Sequence, residues 1–381
     1  MIMTRRFKVQ KLVKSANWPR LLGCVFSFIA TSMPASAHAG TMPESSNITI
    51  YGFLKVDAES VSAGPTSTAR VSNNLSVLGF RGKEDLGDGM EAFFQLESNV
   101  FVDTGAGGEF TRNTGVGLRG KYGQVLAGIW ESPYRFVSVY AIDPFTAGIF
   151  ASNSLLGNGF TTAANGVAPA SFDRRQKNLL QYFAPGYLGW NARIAVSARE
   201  EKTAASNPGL VSGLLTYEQG PLYLAYGYER HTDYFAAGTT DEGHKLGAAY
   251  SIGGTRLRFA WEKLRYEPTV KTHLGRNAWQ LGATHEIGLH IFRASYVRAL
   301  NASGNASAGI GGTGKPGGES GARQYALGYG YNLSRRTELW AAYTRINNDK
   351  YAMYNLSGNP VAGLAAGQDP YGFGLGITHK F

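Results

Sequence analysis

Tyr371-Gly-Phe-Gly-Leu-Gly-Ile-Thr-His-Lys-Phe381 has two unlike sides. Its odd positions are Tyr371, Phe373, Leu375, Ile377, His379 and Phe381. Its even positions are Gly372, Gly374, Gly376, Thr378 and Lys380. A period of two with one aromatic, apolar side and one small or polar side is a strand between two different media. In the closing strand of a membrane barrel the apolar side faces lipid, and Phe381 is expected in the interfacial aromatic girdle.

Working outward, the same alternation recurs. Ile48–Asp57 sets Ile48, Ile50, Leu54 and Val56 against Thr49, Tyr51, Lys55 and Asp57. Counting such segments to the end predicts about 16 strands. The connections between them fall into two sets. Short ones rich in Gly, Pro and polar residues are 84–89, 121–123, 184–189, 219–221, 253–254, 286–288 and 334–336. Long ones are 58–72, 99–111, 131–176, 200–210, 230–243, 264–277, 299–323 and 347–370. Regular short/long alternation puts all tight turns at one end of the strands and all long loops at the other. That is the pattern of an all-β, antiparallel transmembrane β-barrel. A soluble sandwich has no reason to segregate its connections, and closure removes exposed strand edges. Aromatics such as Tyr226, Tyr250, Phe259, Trp261, Tyr329 and Tyr343 share the lipid-type side, as girdles require.

The N-terminal segment reads as a targeting leader. Arg5, Arg6, Lys8, Lys11, Lys14 and Arg20 precede the apolar stretch Leu21–Ala30, and Ala37-His38-Ala39 offers a small-x-small cleavage site. The expected organisation is a signal peptide at 1–39 and one barrel domain at 40–381. Losing six basic residues lowers the formal charge from +10 to +4, so nucleic acid is not expected as a partner. The single cysteine, Cys24, lies in the leader. Leu21-Leu22-Gly23-Cys24 has the composition of a lipoprotein box, but opens an apolar core instead of ending one. The mature chain is expected to rely on no disulfide. Charged residues are only 17%, and no apolar run beyond the leader is long enough for a membrane helix.

Several ordered motifs carry a resemblance. Ile50-Tyr-Gly52 comes first, then Gly79-Phe-Arg-Gly-Lys-Glu-Asp-Leu-Gly87 and Ala92-Phe-Phe-Gln-Leu-Glu97. Val116-Gly-Leu118, Asn178 before Tyr182, Asn332-Leu-Ser-Arg-Arg-Thr337 and Gly376-Ile-Thr-His-Lys-Phe381 follow. Together they resemble the general porins of Gram-negative, especially β-proteobacterial, outer membranes. The resemblance implies a homotrimer of 16-stranded barrels in outer-membrane lipid, each with a long third outer loop folded inward. That loop would be 131–176. It also implies recognition of the C-terminal strand, ending at Phe381, by the outer-membrane assembly machinery.

A diffusion pore needs a constriction whose width and charge decide what passes. Parity places Lys55, Arg81, Lys177, Arg193, Arg256 and Arg258 on the lumen side, with Arg175 continuing the parity of Lys177. Lys245, Arg293, Glu91, Glu97, Glu229 and Glu262 share it. The excess of cations predicts a positively biased lumen that favours anions. Similar porins set basic wall residues opposite an acidic inward loop, and Arg81 and Arg175 fit by position. Val77 and Ile129 stand where those porins commonly carry Arg. The loop is poor in charge: Glu131, Arg135 and Asp143 stand among Phe, Ala, Asn and Gly. A weak transverse field and modest ion selectivity are expected.

No cofactor or metal is expected. Gly309-Ile-Gly-Gly-Thr-Gly-Lys315 begins like a phosphate loop, but Pro316 stands where the Mg²⁺-binding hydroxyl belongs. His285-Glu286 with His290 is spaced one residue too long for a zinc-protease helix, and Gly288 makes it a turn. No Gly-x-Ser-x-Gly elbow occurs. Passive diffusion is therefore the leading function. The alternatives are a substrate-specific channel, with Tyr134, Tyr140 and Phe145 lining a solute path, and a barrel-based outer-membrane enzyme or adhesin.

Overall fold

The computed structural model describes residues 48–139, 141–158, 172–200 and 202–381. The leader, Cys24 and Tyr140 lie outside these residues. Eighteen strand segments are present among them. In chain order they are β1 (Thr49–Ser62), β2 (Ser67–Asn73), β3 (Val77–Gly87), β4 (Met90–Asn99), β5 (Thr114–Gly120), β6 (Gly123–Glu131), β7 (Arg175–Phe183), β8 (Trp190–Ser197) and β9 (Gly209–Gln219). Then come β10 (Leu222–Thr232), β11 (Thr240–Ile252), β12 (Thr255–Thr269), β13 (Thr272–Ile287), β14 (His290–Ala299), β15 (Ser303–Gly304), β16 (Ala322–Asn332), β17 (Thr337–Asn348) and β18 (Tyr371–Lys380).

Both β2 and β3 pair with β1, so they are two parts of one stave interrupted at 74–76. The two-residue β15 only flanks the outer end of β13. The wall is therefore a closed, antiparallel, 16-stranded barrel. It closes where β1 pairs β18, from Phe53↔Lys380 to Ser62↔Tyr371. Reciprocal backbone bonds between Gly52 and Phe381, 3.1 and 3.0 Å, extend that seam to the last residue.

Exposure along the strands is inverted relative to a water-soluble protein. On β16 Leu327 is 60% exposed while its neighbour Ala326 is 1% exposed. Leu246, Leu257, Leu281, Leu339 and Leu375 are likewise exposed, and the facing alternates Ala249, Ala260, Ala278 and Ala342 are buried. Large apolar side chains outside and small ones inside is what a lipid solvent selects. Tight turns lie at one end. At the β11–β12 and β13–β14 turns, Gly253 and Gly288 have φ of 55° and 59°, which side chains with a Cβ rarely adopt.

The expected strands are all present, but three outer connections are shorter than their sequence suggested. The 58–72 segment is mostly strand, with β1 running to Ser62 and β2 starting at Ser67. The 264–277 segment is a hairpin paired to Thr269↔Thr272, and 230–243 is paired to Thr232↔Thr240. Apolar alternation stops where the hydrocarbon stops, but an antiparallel ribbon keeps satisfying its own backbone beyond it.

The described parts of the 131–176 loop enter the barrel. Helix α1 (Pro133–Val139) packs against β9, β10 and β11. Val137, Ile142, Phe145, Ile149, Phe150, Leu155 and Leu156 form one buried cluster with wall alanines. The wall makes room by omitting side chains. A Cβ on Gly247 would sit 3.0 Å from Val137, and one on Gly328 2.7 Å from Phe145.

Candidate pore and constriction

Both limbs of the inward loop are fastened to a buried ionic cluster on β11–β13. The Glu262 carboxylate accepts from the Tyr134 hydroxyl at 3.0 Å and from the Gly157 amide at 2.9–3.0 Å. Lys245 lies 3.1 Å from Glu262 and 2.7 Å from Asp173, and donates to Ser138 at 2.9 Å. Arg276 donates to Glu262 and to the Leu155 carbonyl. Tyr134 enters the loop and Leu155, Gly157 and Asp173 lie on its return, so one charge cluster holds both directions. Burying such a set is tolerated only because each charge has an opposite partner.

The tip is held from the other side. Lys55 on β1 donates its ammonium to the carbonyls of Phe145, 3.4 Å, and Ala147, 3.1 Å. Asp143 folds the tip instead of facing the pore. Its Oδ1 accepts from the Phe145 amide at 2.9 Å, and its Oδ2 from the Ser152 amide and hydroxyl at 2.6 and 2.8 Å. Burial pushes its carboxyl above the usual range, and those hydrogen bonds pull it back.

Two cavities lie along the passage the loop leaves open. The outer one, about 410 Å³, is walled by Asn73, Asn99, Phe101, Asn153 and Asn359 among others. The inner one, about 500 Å³, runs from Lys55 and Arg175 down to Tyr329, Thr378 and Lys380. They share four wall residues: Leu75, Arg135, Thr146 and Ala147. The inner cavity is lined by six cations, Lys55, Arg112, Arg135, Arg175, Arg293 and Lys380, and two carboxylates, Glu97 and Glu338.

Pairing tempers that excess. Arg175 and Arg135 both meet the buried Glu131 carboxylate, Arg112 lies 3.8 Å from Glu97, and Arg293 makes two bonds to Glu338 at 2.6 and 3.1 Å.

The expected pore residues fall into three groups. Lys55 and Arg175 line the inner cavity, and Glu131 pairs with Arg175. Arg256 and Arg258 lie on the far wall. Arg258 donates to Thr284 at 2.7 Å, and Arg256, Thr284 and Arg293 are lateral neighbours in the register. Arg193 stacks on the loop's Phe136 with its guanidinium 4.0 Å from the ring. Arg81 lies lower, 5.0 Å over the Tyr51 ring, and outside both cavities.

Lys177 departs from its expected parity with Arg175. The register jumps from Gly128↔Leu179 to Trp130↔Gln176, so Lys177 and Asn178 together oppose Ile129. Asn178 has φ 54°. At this bulge Gln176 is buried and Lys177 exposed, because a bulge resets the alternation. Arg112 directly follows the expected 99–111 connection, but the strand begins only at Thr114, and Arg112 lines the inner cavity. Among the loop aromatics, Tyr134 and Phe145 are buried in packing. His285 and His290, flanking a tight turn, bond separately to Thr255 at 2.7 Å and Tyr329 at 2.8 Å.

A closed barrel with a lipid-facing exterior and a loop-narrowed, charged passage defines an outer-membrane diffusion channel. A family model described as Gram-negative porin matches residues 25–351, and the chain belongs to that family. Outer membrane porin protein 32 of Delftia acidovorans is 27% identical over 375 residues, covering 93% of this chain and 99% of that one. An outer membrane porin protein of Bordetella pertussis is 29% identical, covering 70% and 76%. Among solved structures, the anion-selective porin from Comamonas acidovorans superposes with a TM-score of 0.76 at 27% identity, covering 88% and 100%. The trimer form of Vibrio cholerae OmpT, at 13% identity and TM-score 0.64, covering 89% and 100%, shares the fold. The protein is a multi-pass porin of the outer membrane, a channel for passive diffusion.

Proposed function

We propose that this porin passes small hydrophilic solutes and ions through a water-filled lumen with a mild preference for anions, and that it works as a homotrimer. The observation that carries the preference is the inner cavity's wall, with six cations against two carboxylates. Anions gain from that surplus, while the pairs to Glu131, Glu97 and Glu338 keep the bias mild. The likeness to the anion-selective Comamonas porin supports the preference, and the trimer form of OmpT supports the assembly. Within it Lys55, Arg175, Arg193, Arg256, Arg258 and Glu131 belong to the pore or its loop support, Arg81 to the inner mouth, and Asp143 to the loop fold. Lys177 contributes at most a distant charge. The leader 1–39 is removed, 40–381 folds as the barrel, and the strand ending at Phe381 presents the signal for assembly. The reading involves no catalytic step.

The test is conductance of purified protein in a planar bilayer under a salt gradient. Ohmic steps in groups of three, with a reversal potential of anion sign but well short of the ideal anion value, are expected. A cation-sign or near-ideal potential overturns the mild anion preference, and folded protein that inserts without steps overturns the open channel.

A further inference from the structure

The strongest unused feature lies where the two cavities meet. Of their four shared wall residues, Leu75 and Thr146 are non-glycine residues with left-handed backbones, φ 71° and 60°. Such conformations disfavour L side chains, most of all a β-branched one, and persist only where surroundings over-determine them. Here those surroundings converge on one residue. Leu75 sits in the 74–76 break between β2 and β3. The Asn74 amide donates to the Lys55 carbonyl at 2.8 Å, and the Lys55 amide donates to the Ser76 hydroxyl at 2.9 Å. The Ser76 amide donates to Asn73 Oδ1 at 3.2 Å. The Lys55 ammonium grips the carbonyls of Phe145 and Ala147, the residues either side of Thr146. Thr146 is exposed between neighbours that are buried.

We propose that Leu75 and Thr146 are the opposed jaws of the size filter, and that Lys55 positions both, one through its main chain and the other through its ammonium. Selection by size then rests on two neutral side chains. Selection by charge rests on Arg135 at the same junction and on the cations lining the cavity below. The break at 74–76 costs the stave ladder bonds and strains Leu75. A regular strand would follow its alternation and would not turn the backbone left-handed at this point. Lys55 is thus a positioning residue, and its charge is engaged by the loop's carbonyls.

The inference rests on the diffusion-channel reading, and the experiment separates the two. Leu75→Gly and Thr146→Gly remove a side chain at a backbone that glycine adopts freely. Both are compared with wild type by single-channel conductance, reversal potential and swelling of liposomes in neutral sugars of graded size, with folding checked by heat-modifiable mobility. Expected are a conductance rise of roughly 1.5-fold, a size cut-off moved to larger sugars, an unchanged reversal potential, and no loss of thermal stability. Lys55→Met is expected to give a noisier open state with frequent partial closures, which loss of a mere lumen charge would not produce. Glycine variants with wild-type conductance and cut-off overturn the jaws. A quiet Lys55→Met channel overturns the positioning role. If wild-type protein itself fails to conduct, the channel reading fails instead.

Discussion

The lumen wall has two unlike halves. Where the inward loop lies against it, on β9 to β18, it is surfaced with Ala and Gly, a dry contact bolted by Glu262, Lys245 and Arg276. From β1 to β7, and at the turn ends of β14 to β18 below the loop, it carries larger polar and charged groups such as Tyr51, Glu97, Arg112, Arg175, Arg293 and Glu338, and the passage runs beside them. The same alternation builds both halves. What differs is whether the inward side chain is small enough to admit a second layer or polar enough to face water. Charge works oppositely in the two settings. In the cluster under the loop it is paired with opposite charge and holds the fold. On the wet half it is partly offset and biases ions.

The largest expected effect tests the dry half. Glu262→Ala leaves Lys245 and Arg276 buried around a missing carboxylate. It should destabilise the barrel by about 3–5 kcal/mol, read as a lower denaturant midpoint for loss of the folded, heat-modifiable band. An unchanged midpoint would break the claim that this cluster bolts the loop. Next comes Gly247→Val, which overfills the contact with Val137 and Ile142. A cost of about 1–3 kcal/mol is expected, with an altered conductance as the loop shifts toward the passage. Wild-type stability and conductance together would mean that the loop is not tightly seated.

The wet half should answer in selectivity more than in stability. Arg293→Gln removes one lining cation and leaves Glu338 unpaired, so the anion-to-cation permeability ratio should fall by roughly twofold, measured as a reversal potential shifted toward the cation side. A shift toward anions would reverse the assignment. The smallest effect is salt dependence. Raising ionic strength from 0.1 to 1 M shortens the screening length from about 10 to about 3 Å, so the preference should fade. A preference independent of salt would place its origin in buried charges instead.

Strand number and the inward and outward faces were legible in the alternation and in the placement of long connections, while the inward folding of 131–176 came from the resemblance to porins. The basic bias was legible too, since Lys55, Arg175 and Arg293 follow from parity alone. Lys177 was misplaced because a bulge at Asn178 leaves no mark in a period-two count. Arg112 was hidden by a strand boundary two residues off. Asp143 read as a pore charge because its three donors come from residues up to nine positions away in a folded loop. Glu262 had the right parity, but nothing local distinguishes a carboxylate facing water from one closed over by a loop.

By itself the sequence determined the solvent on each side of every strand, because side-chain polarity alternates with the pleat and membrane and lumen demand opposite chemistry. Only the tertiary structure decided where the passage narrows. That depends on which wall residues the loop covers, on one break in a stave, and on two left-handed residues held from Lys55. All three are set by contacts between segments some twenty to ninety residues apart along the chain, and no local pattern encodes them.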